Sequence, residues 1–500
     1  MELLVHRSVT SREQPFPNRH SRTALFLTSL GIAVFFLLLI YIVKYVYTAR
    51  FVNRESCSSN CTVYASPSGN DQNSGNDPSS PKTFLGAAAA SRSGSIICLL
   101  AGNYSLSSAF NPPASGNPSA WIVYKSCDDG PVNFVWTGTA DASPMFKLGD
   151  GKFPSGPAYL EFRGLNLDGR GNAADGFFCR GGHHLRFISN SITNTGGSGI
   201  GSIYCDYLTA DHNVIYHNGR VPPSTKVPQW YSWTSGISFN SNQWFDTYSG
   251  FHNIISNNIV TGEVDQSSEH SDGNGIILDL SNRTDDYSSA NTPPALVINN
   301  VVYANGGRCI EAFTVTNFWF VNNTCYKNVM DLPKDTAASV SVINSHDGYV
   351  INDLVVAWRN SDPCYAKEQT TQTINFFSDL CSQSSNASGS SDPSRFIMGD
   401  PLFVALPDIP PALEKQSAVV PQPRLLGNGL TLLPGSPALG KGVDPSTLPG
   451  LPGKIVGDLK KYIYTDFNGK PRPQGGPFDL GAYQSSPAHP RSIGVGKAEN

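Results

Sequence analysis

Apolar and polar positions recur down the middle of the chain on one spacing rule. An apolar residue is followed 13 residues later by Asn or Asp: Phe177 by Asn190, Ile200 by Asn213, Ile310 by Asn323 and Val340 by Asp353. Ile237 with Asn258 and Ile276 with Asn300 keep the order at offsets of 21 and 24. From Phe177 to Ile200, and from Asn190 to Asn213, the full period is 23 residues. A fixed period in this range signals a repeat architecture in which each coil contacts only its neighbours. Strands stacked with one face inward need apolar residues at alternate positions, so Ile200, Ile237, Ile276 and Ile310 are expected to fill one inward column. The Asn positions 190, 213, 258, 300 and 323 are expected at a bend, where Asn tolerates left-handed backbone and amides stack along the solenoid.

Other segments complete the pattern. A short strand in Cys61–Asp71 runs into a Gly/Asn/Asp turn, Phe84–Ser91 has an Ala-rich helical pattern, and Ser95–Leu100 reads as a buried strand. Ala24–Val43 is an uninterrupted run of 20 uncharged, mostly apolar residues, enough for one transmembrane helix. Its length and the lack of a small-x-small site before Lys44 favour an uncleaved signal-anchor over a signal peptide. Arg7, Arg12, Arg19 and Arg22 precede it and favour a cytoplasmic N-terminus, with the bulk of the chain extracellular or lumenal. The expected organisation is a cytoplasmic tail (1–23), the anchor (24–43), a linker (44–60) and the repeat domain (61–382). A Pro/Gly-rich segment (383–484) packs on or caps the solenoid, and a tail follows (485–500).

The order Tyr64-Ala-Ser-Pro-Ser-Gly-Asn-Asp71, the Ala-rich helix, and Gly94-Ser-Ile-Ile-Cys-Leu-Leu-Ala-Gly-Asn-Tyr104 resembles the start of right-handed parallel β-helix proteins of the pectate-lyase-like superfamily. So do His270-Ser-Asp-Gly-Asn-Gly-Ile-Ile-Leu-Asp279, Gly306-Gly-Arg-Cys-Ile-Glu311 and the ending Asp466-Phe-Asn-Gly-Lys-Pro-Arg-Pro473 with Phe478-Asp-Leu-Gly-Ala-Tyr483. The resemblance covers residues 61–484. It implies an all-β, right-handed parallel β-helix with an N-terminal capping helix. That superfamily holds lyases, hydrolases, epimerases and non-enzymes, so the resemblance leaves the activity open.

Composition narrows the partners. Charged residues are 15% of the 500, the formal net charge is −4, and no basic stripe is visible, which argues against nucleic acid. Nothing in the sequence sets an oligomeric state. Ten cysteines, all after residue 43, suit an oxidising compartment. Proximity in sequence suggests Cys57–Cys61, Cys98–Cys127, Cys179–Cys205 and Cys364–Cys381, leaving Cys309 and Cys325 to pair. Sequons stand at Asn60, Asn103, Asn282, Asn322 and Asn386, making this a glycoprotein wherever the host glycosylates.

The stretched coils carry the candidate chemistry. Extra residues near 219–234, 241–250, 262–272 and 281–294 must leave the body as loops, which is where function concentrates. Trp230, Tyr231, Trp233, Trp244, Phe245 and Tyr248 lie in or beside two of them, and aromatic faces suit sugar rings. Trp230, Trp233 and Trp244, with Asn240 and His252, are the expected substrate-binding residues. Counting from the inward Ile places Asp279 and Glu311 on one outward, exposed face, one coil apart. Asp279, Glu311, His270 and Arg308 are the expected catalytic residues. Asp265, Glu269 and Asp272 are expected metal ligands, with Ca2+ the implied cation. The leading expectation is a membrane-tethered polysaccharide lyase acting on an acidic glycan, with Ca2+ or Arg neutralising a uronate while a His removes its α-proton. A glycoside hydrolase or epimerase on the same scaffold, and a non-catalytic carbohydrate-binding or structural protein, are the alternatives.

Overall fold

A computed structural model describes residues 60–127, 129–140, 143–220, 233–267, 271–280, 291–331, 337–368, 373–385, 396–409 and 429–485. Trp230, Tyr231, Glu269, His270 and the apolar run 24–43 lie outside them. Among the described residues no helix is long and apolar enough to cross a membrane.

The repeat closes into three parallel sheets, of 11, 11 and 8 strands among the described residues. Each coil adds one strand to each sheet in turn, as in His183–Ile188, Ser191–Thr193 and Ile200–Ile203. Three parallel sheets wound this way make a right-handed parallel β-helix. In the third sheet Phe177, Ile200, Ile237, Ile276, Ile310 and Val340 pair in strict register, and none retains exposed surface. Each such side chain contributes roughly 1.5–3 kcal/mol by burial. The position before this column is Gly at 176, 199, 236 and 275, because a Cβ there would collide with Ile192, Ile215, Val260 and Val302 of the second sheet.

The expected Asn column forms at the bend between the first and second sheets. The Oδ1 of Asn258 accepts the backbone N–H and the side-chain amide of Asn213, each at 2.9 Å. Its own Nδ2 donates to the Ala210 carbonyl at 2.9 Å and to Asn300 Oδ1 at 3.0 Å. The pattern repeats at Asn190, Asn300 and Asn323, then continues through Asp353 and Asp379. One detail differs from the sequence reading. The left-handed residue is the one before each ladder position, namely Ser189, His212, Asn257, Asn299, Asn322, Asn352 and Ser378. The ladder Asn itself turns its amide inward, where every donor and acceptor finds a partner.

A second ladder runs five residues later through Thr195, Asn218, Glu263, Asn305 and Asn328. Glu263 occupies an Asn position in it, its carboxyl pushed up to about 8 chiefly by burial.

At the N-terminal end the helix Phe84–Ala89, capped by the Thr83 hydroxyl, sets Phe84 against Tyr104, Phe110, Tyr124, Phe134 and Phe146. It covers the open end of the apolar interior. The segment 429–485 packs on the solenoid's sides: Leu430, Leu432 and Leu480 against Leu354 and Leu380, and Ile455, Leu459 and Phe478 against Leu296, Trp319 and Ile351. Within it the sequence reading missed the helix Gly453–Tyr462, whose Ile455 and Leu459 repeat at i, i+4.

Disulfides join Cys179–Cys205, Cys309–Cys325 and Cys364–Cys381, as proximity suggested. The pairing at the first coils is different: Cys61 bonds Cys98, and Cys127 is also disulfide-bonded. Cys98 stands opposite Tyr64 on the neighbouring strand, so coil adjacency outweighs sequence adjacency. Asn322 is fully buried, with the Asn352 amide donating to its Oδ1, which closes that sequon in the folded chain.

Candidate functional site

The long connections flank the third sheet on both sides. Residues 217–234, 262–273 and 327–339 lead into the strands Ser235–Asn240, Asn274–Asp279 and Val340–Ile343. Residues 241–252 and 280–294 lead out of the first two. The stretch 327–339 escaped the sequence reading, since the offset from Val340 to Asp353 is still 13.

Strand alternation turns Asn240, Asp279 and Glu311 outward, opposite the inward Ile column. The expectation of an exposed face is corrected: Glu311 keeps 2% of its surface and Asp279 9%. The cause is a web of polar contacts over the strands. The Asn240 Nδ2 donates to Asp279 Oδ2 at 2.7 Å, and the Ser241 hydroxyl donates to Asn240 Oδ1 at 2.6 Å. The Asn274 Nδ2 donates to Glu311 Oε2 at 2.7 Å and to Asp272 Oδ1 at 3.3 Å, while its Oδ1 accepts the Arg308 backbone N–H at 2.7 Å. The Arg308 guanidinium is 3.5 Å from Glu311 Oε1, donates through Nε to Ser341 Oγ at 3.1 Å, and reaches the Ser271 carbonyl at 3.5 Å.

Asp272 stands at the centre of this web. Its carboxyl is raised well above the usual carboxylate range, by burial first and then by the negative charges of Glu311, Asp279 and Asp265. The Arg308 charge opposes that shift without cancelling it. Burial and those negative charges both favour the protonated form of the Asp272 carboxyl. Asn274, two residues before the inward Ile276, is the residue the spacing argument passed over. Only the register reveals that it joins both carboxyls.

One expectation is corrected. His252 offers no surface to a substrate: its imidazole is completely enclosed, with Nδ1 2.7 Å from Asp206 Oδ2 and Nε2 2.6 Å from the Tyr248 carbonyl. It stacks on Tyr207 beside the first sheet, not in the third-sheet groove. Asp265 organises its own loop, accepting the backbone N–H groups of Ser267, Ser271 and Asp272. Trp244 lies edge-on to His252 and donates to the Asn291 carbonyl at 3.0 Å, so it braces the outgoing loops. Trp233, 51% exposed beside the incoming edge, keeps an open ring. Among the described residues the three-ligand sets of His, Cys, Asp or Glu reduce to Cys61, Cys98 and Cys127, whose sulfurs are in disulfides.

No family model matches the chain, and no curated protein matches it. Among solved structures it is similar to pectate lyase Pel9A, at 16% identity over 85% of this chain and 96% of that one, with a TM-score of 0.49. It is also similar to a glycoside hydrolase, at 10% identity over 67% and 96%, TM-score 0.46. A rhamnogalacturonan lyase aligns at 15% identity over 63% and 87%, TM-score 0.39. These likenesses concern the fold, which rests independently on the three parallel sheets.

Proposed function

We propose that this protein cleaves a polysaccharide laid across the outer face of the third sheet, with Asp272 as the proton donor and Asp279 and Glu311 as its carboxylate partners. The observation that supports it is the grouping of Asp272 with Glu311, Asp279 and Asp265, whose charges, after burial, raise its carboxyl well above the usual range. A protonated carboxyl beside carboxylates is what glycosidic cleavage requires: one group protonates the leaving oxygen, and another stabilises or attacks the anomeric carbon. Asn274 ties the donor to Glu311, and Arg308 steadies Glu311. Trp233 at the rim is placed to stack on a sugar ring.

This reading puts hydrolysis ahead of β-elimination. The Arg308 guanidinium is engaged with Glu311, Ser341 and Ser271, His252 is enclosed elsewhere, and His270, the expected base, lies outside the described residues. Elimination on an acidic glycan would instead need a cation such as Ca2+, for which Asp265, Glu269 and Asp272 are the candidate ligands. A panel of neutral and uronic polysaccharides separates the readings. Hydrolysis releases reducing ends without ultraviolet-absorbing unsaturated products and survives chelator; elimination gives unsaturated ends and loses activity on calcium removal. Neither product from any glycan would leave a binding protein and sink the enzymatic reading.

The same proposal has residues 24–43 tether the body outside the cytosol, supported by its disulfides. Protease added to intact cells should remove the β-helix; full protection would contradict this.

A further inference from the structure

A second concave site lies on a different sheet. The residues on either side pair in parallel register, but Tyr159, His184 and Tyr207 of the first sheet all adopt left-handed backbone and stand outward together. Their rings stack in a column that ends on His252: Tyr159 on His184 at 4.5 Å, His184 on Tyr207 at 4.3 Å, and Tyr207 on His252 at 4.2 Å. The edge of this column, the loop at 246–251 and the helix Gly453–Tyr462 border an open cavity of about 390 Å³. That volume falls at the small end of ligand sites, about the size of one or two sugar rings.

Its lining is mixed. Tyr207, Tyr248, Phe251 and Tyr462 supply aromatic surface, and Asp246 and Lys461 supply charge. Asp246 Oδ1 accepts from the Tyr207 hydroxyl and the Tyr248 backbone N–H, both at 2.9 Å. Among the described residues its Oδ2 has no hydrogen-bond partner. Lys461 donates to Asp458 Oδ1 at 2.7 Å while its side chain stays 65% exposed, leaving further N–H bonds directed outward. Asp458 is anchored by the Tyr248 hydroxyl and the Phe251 N–H, so it fixes the helix against the loop. His184 is held neutral, its imidazole pushed down to about 4 by burial and by His183. Lys461 is already paired with Asp458, so the Asp246 carboxylate disfavours an anionic ligand at its end of the cavity, while Lys454 and Arg186 stand near the lining rings. Aromatic walls with one free carboxylate oxygen and one ammonium fit the hydroxyl pairs of a neutral sugar.

We propose that this cavity between the first sheet and the helix Gly453–Tyr462 binds a neutral sugar unit, apart from the acid cluster of the third sheet. It would hold a neutral glycan, or a neutral side branch of one, without cleaving it. The test is calorimetric titration of the full chain carrying Glu311→Gln, so that no glycan is consumed. The probes are neutral gluco-, manno-, galacto- and xylo-oligosaccharides, and oligogalacturonides of matched length. At least one neutral probe should bind, and the oligogalacturonides should bind more weakly. Asp246→Asn and Lys461→Ala, each added separately, should weaken that binding about tenfold, as for one lost charge-assisted hydrogen bond. Lys461 is exposed, so its variant keeps the test valid if Asp246→Asn disturbs the loop. Failure of every neutral probe to bind, preference for the uronic probe, or binding unmoved by Lys461→Ala would each overturn the proposal.

Discussion

Asn258 and Asp272 belong to the same turn of the solenoid, and both are polar groups in its packed body. Asn258 has a partner for each donor and acceptor, supplied by identical residues one coil away. Asp272 has the reverse: its nearest charged neighbours are three more acids, and one arginine falls short of balancing them. The amides meet because the coil repeat stacks like residues one strand spacing apart, whereas Asp265, Asp272 and Asp279 come together on one coil and only Glu311 joins from the next. Amides gain from that, because each is donor and acceptor at once. Carboxylates lose, because like charges at close range cannot all ionise. The scaffold is thus built from residues that tolerate repetition, and the candidate site from residues that do not. Unfavourable electrostatics retained in a cleft mark function more often than architecture.

The contrast yields graded predictions. The largest effect on stability belongs to the inward column: Ile276→Ala should cost about 2–5 kcal/mol, read from denaturant midpoints. Next is the ladder. Asn258→Ala orphans the Asn213 N–H and the Asn300 side of the stack, so a loss of about 1–3 kcal/mol is expected, with product identity unchanged. A ladder variant that altered the products while leaving the midpoint alone would break the comparison.

The ladder's own acids sharpen it. Asp353 and Asp379 occupy Asn positions, and the Oδ2 atom of each, where an Asn carries its donor, is buried without a partner. Burial pushes Asp353 up to about 8, and Asp379 is raised by burial and by Asp353. Tyr365, whose hydroxyl donates to the Asp353 and Leu380 carbonyls, is the other titratable group against them. A folded-state pKa above the unfolded value of 3.8 means full stability below that value, falling as pH rises through about 8. Asp353→Asn should therefore raise the melting temperature at pH 8–9 and change it little at pH 4. An equal shift at both pH values would mean that the carboxyl is not protonated in the fold. The smallest effect is at the rim: Trp233→Ala should move stability by no more than about 0.5 kcal/mol, yet weaken glycan retention on an affinity gel.

The sequence made the periodic part of this molecule legible. The inward Ile column and the ladder from Asn190 to Asn323 follow from an offset of 13, since each coil repeats the same side-chain environment. The left-handed residue was misplaced by one position, because Asn satisfies the preference for a bend and for an amide stack equally well. Glu263 lies five residues after Asn258 and continues a ladder through Asn218 and Asn305, which the offset of 13 does not reveal. Asp279 and Glu311 were placed on the correct side by alternation, but their burial depends on Asn274, Arg308 and Asp272, which arrive from a stretch of irregular length. The expectation for His252 fails for the same reason. Where residues 241–252 leave the repeat, spacing no longer says which sheet they cover.

Asp272→Asn tests the central claim most directly, by measuring two quantities on one protein. If the site is an acid cluster kept for catalysis, the variant loses its proton donor, and reducing-end release should fall by about 10²–10⁴-fold. The same change removes a half-buried carboxyl among like charges, so the melting temperature at neutral pH should rise. Lower activity together with higher stability is the predicted result. Undiminished activity, or a loss of activity accompanied by a lower melting temperature, would contradict it and make Asp272 part of the scaffold.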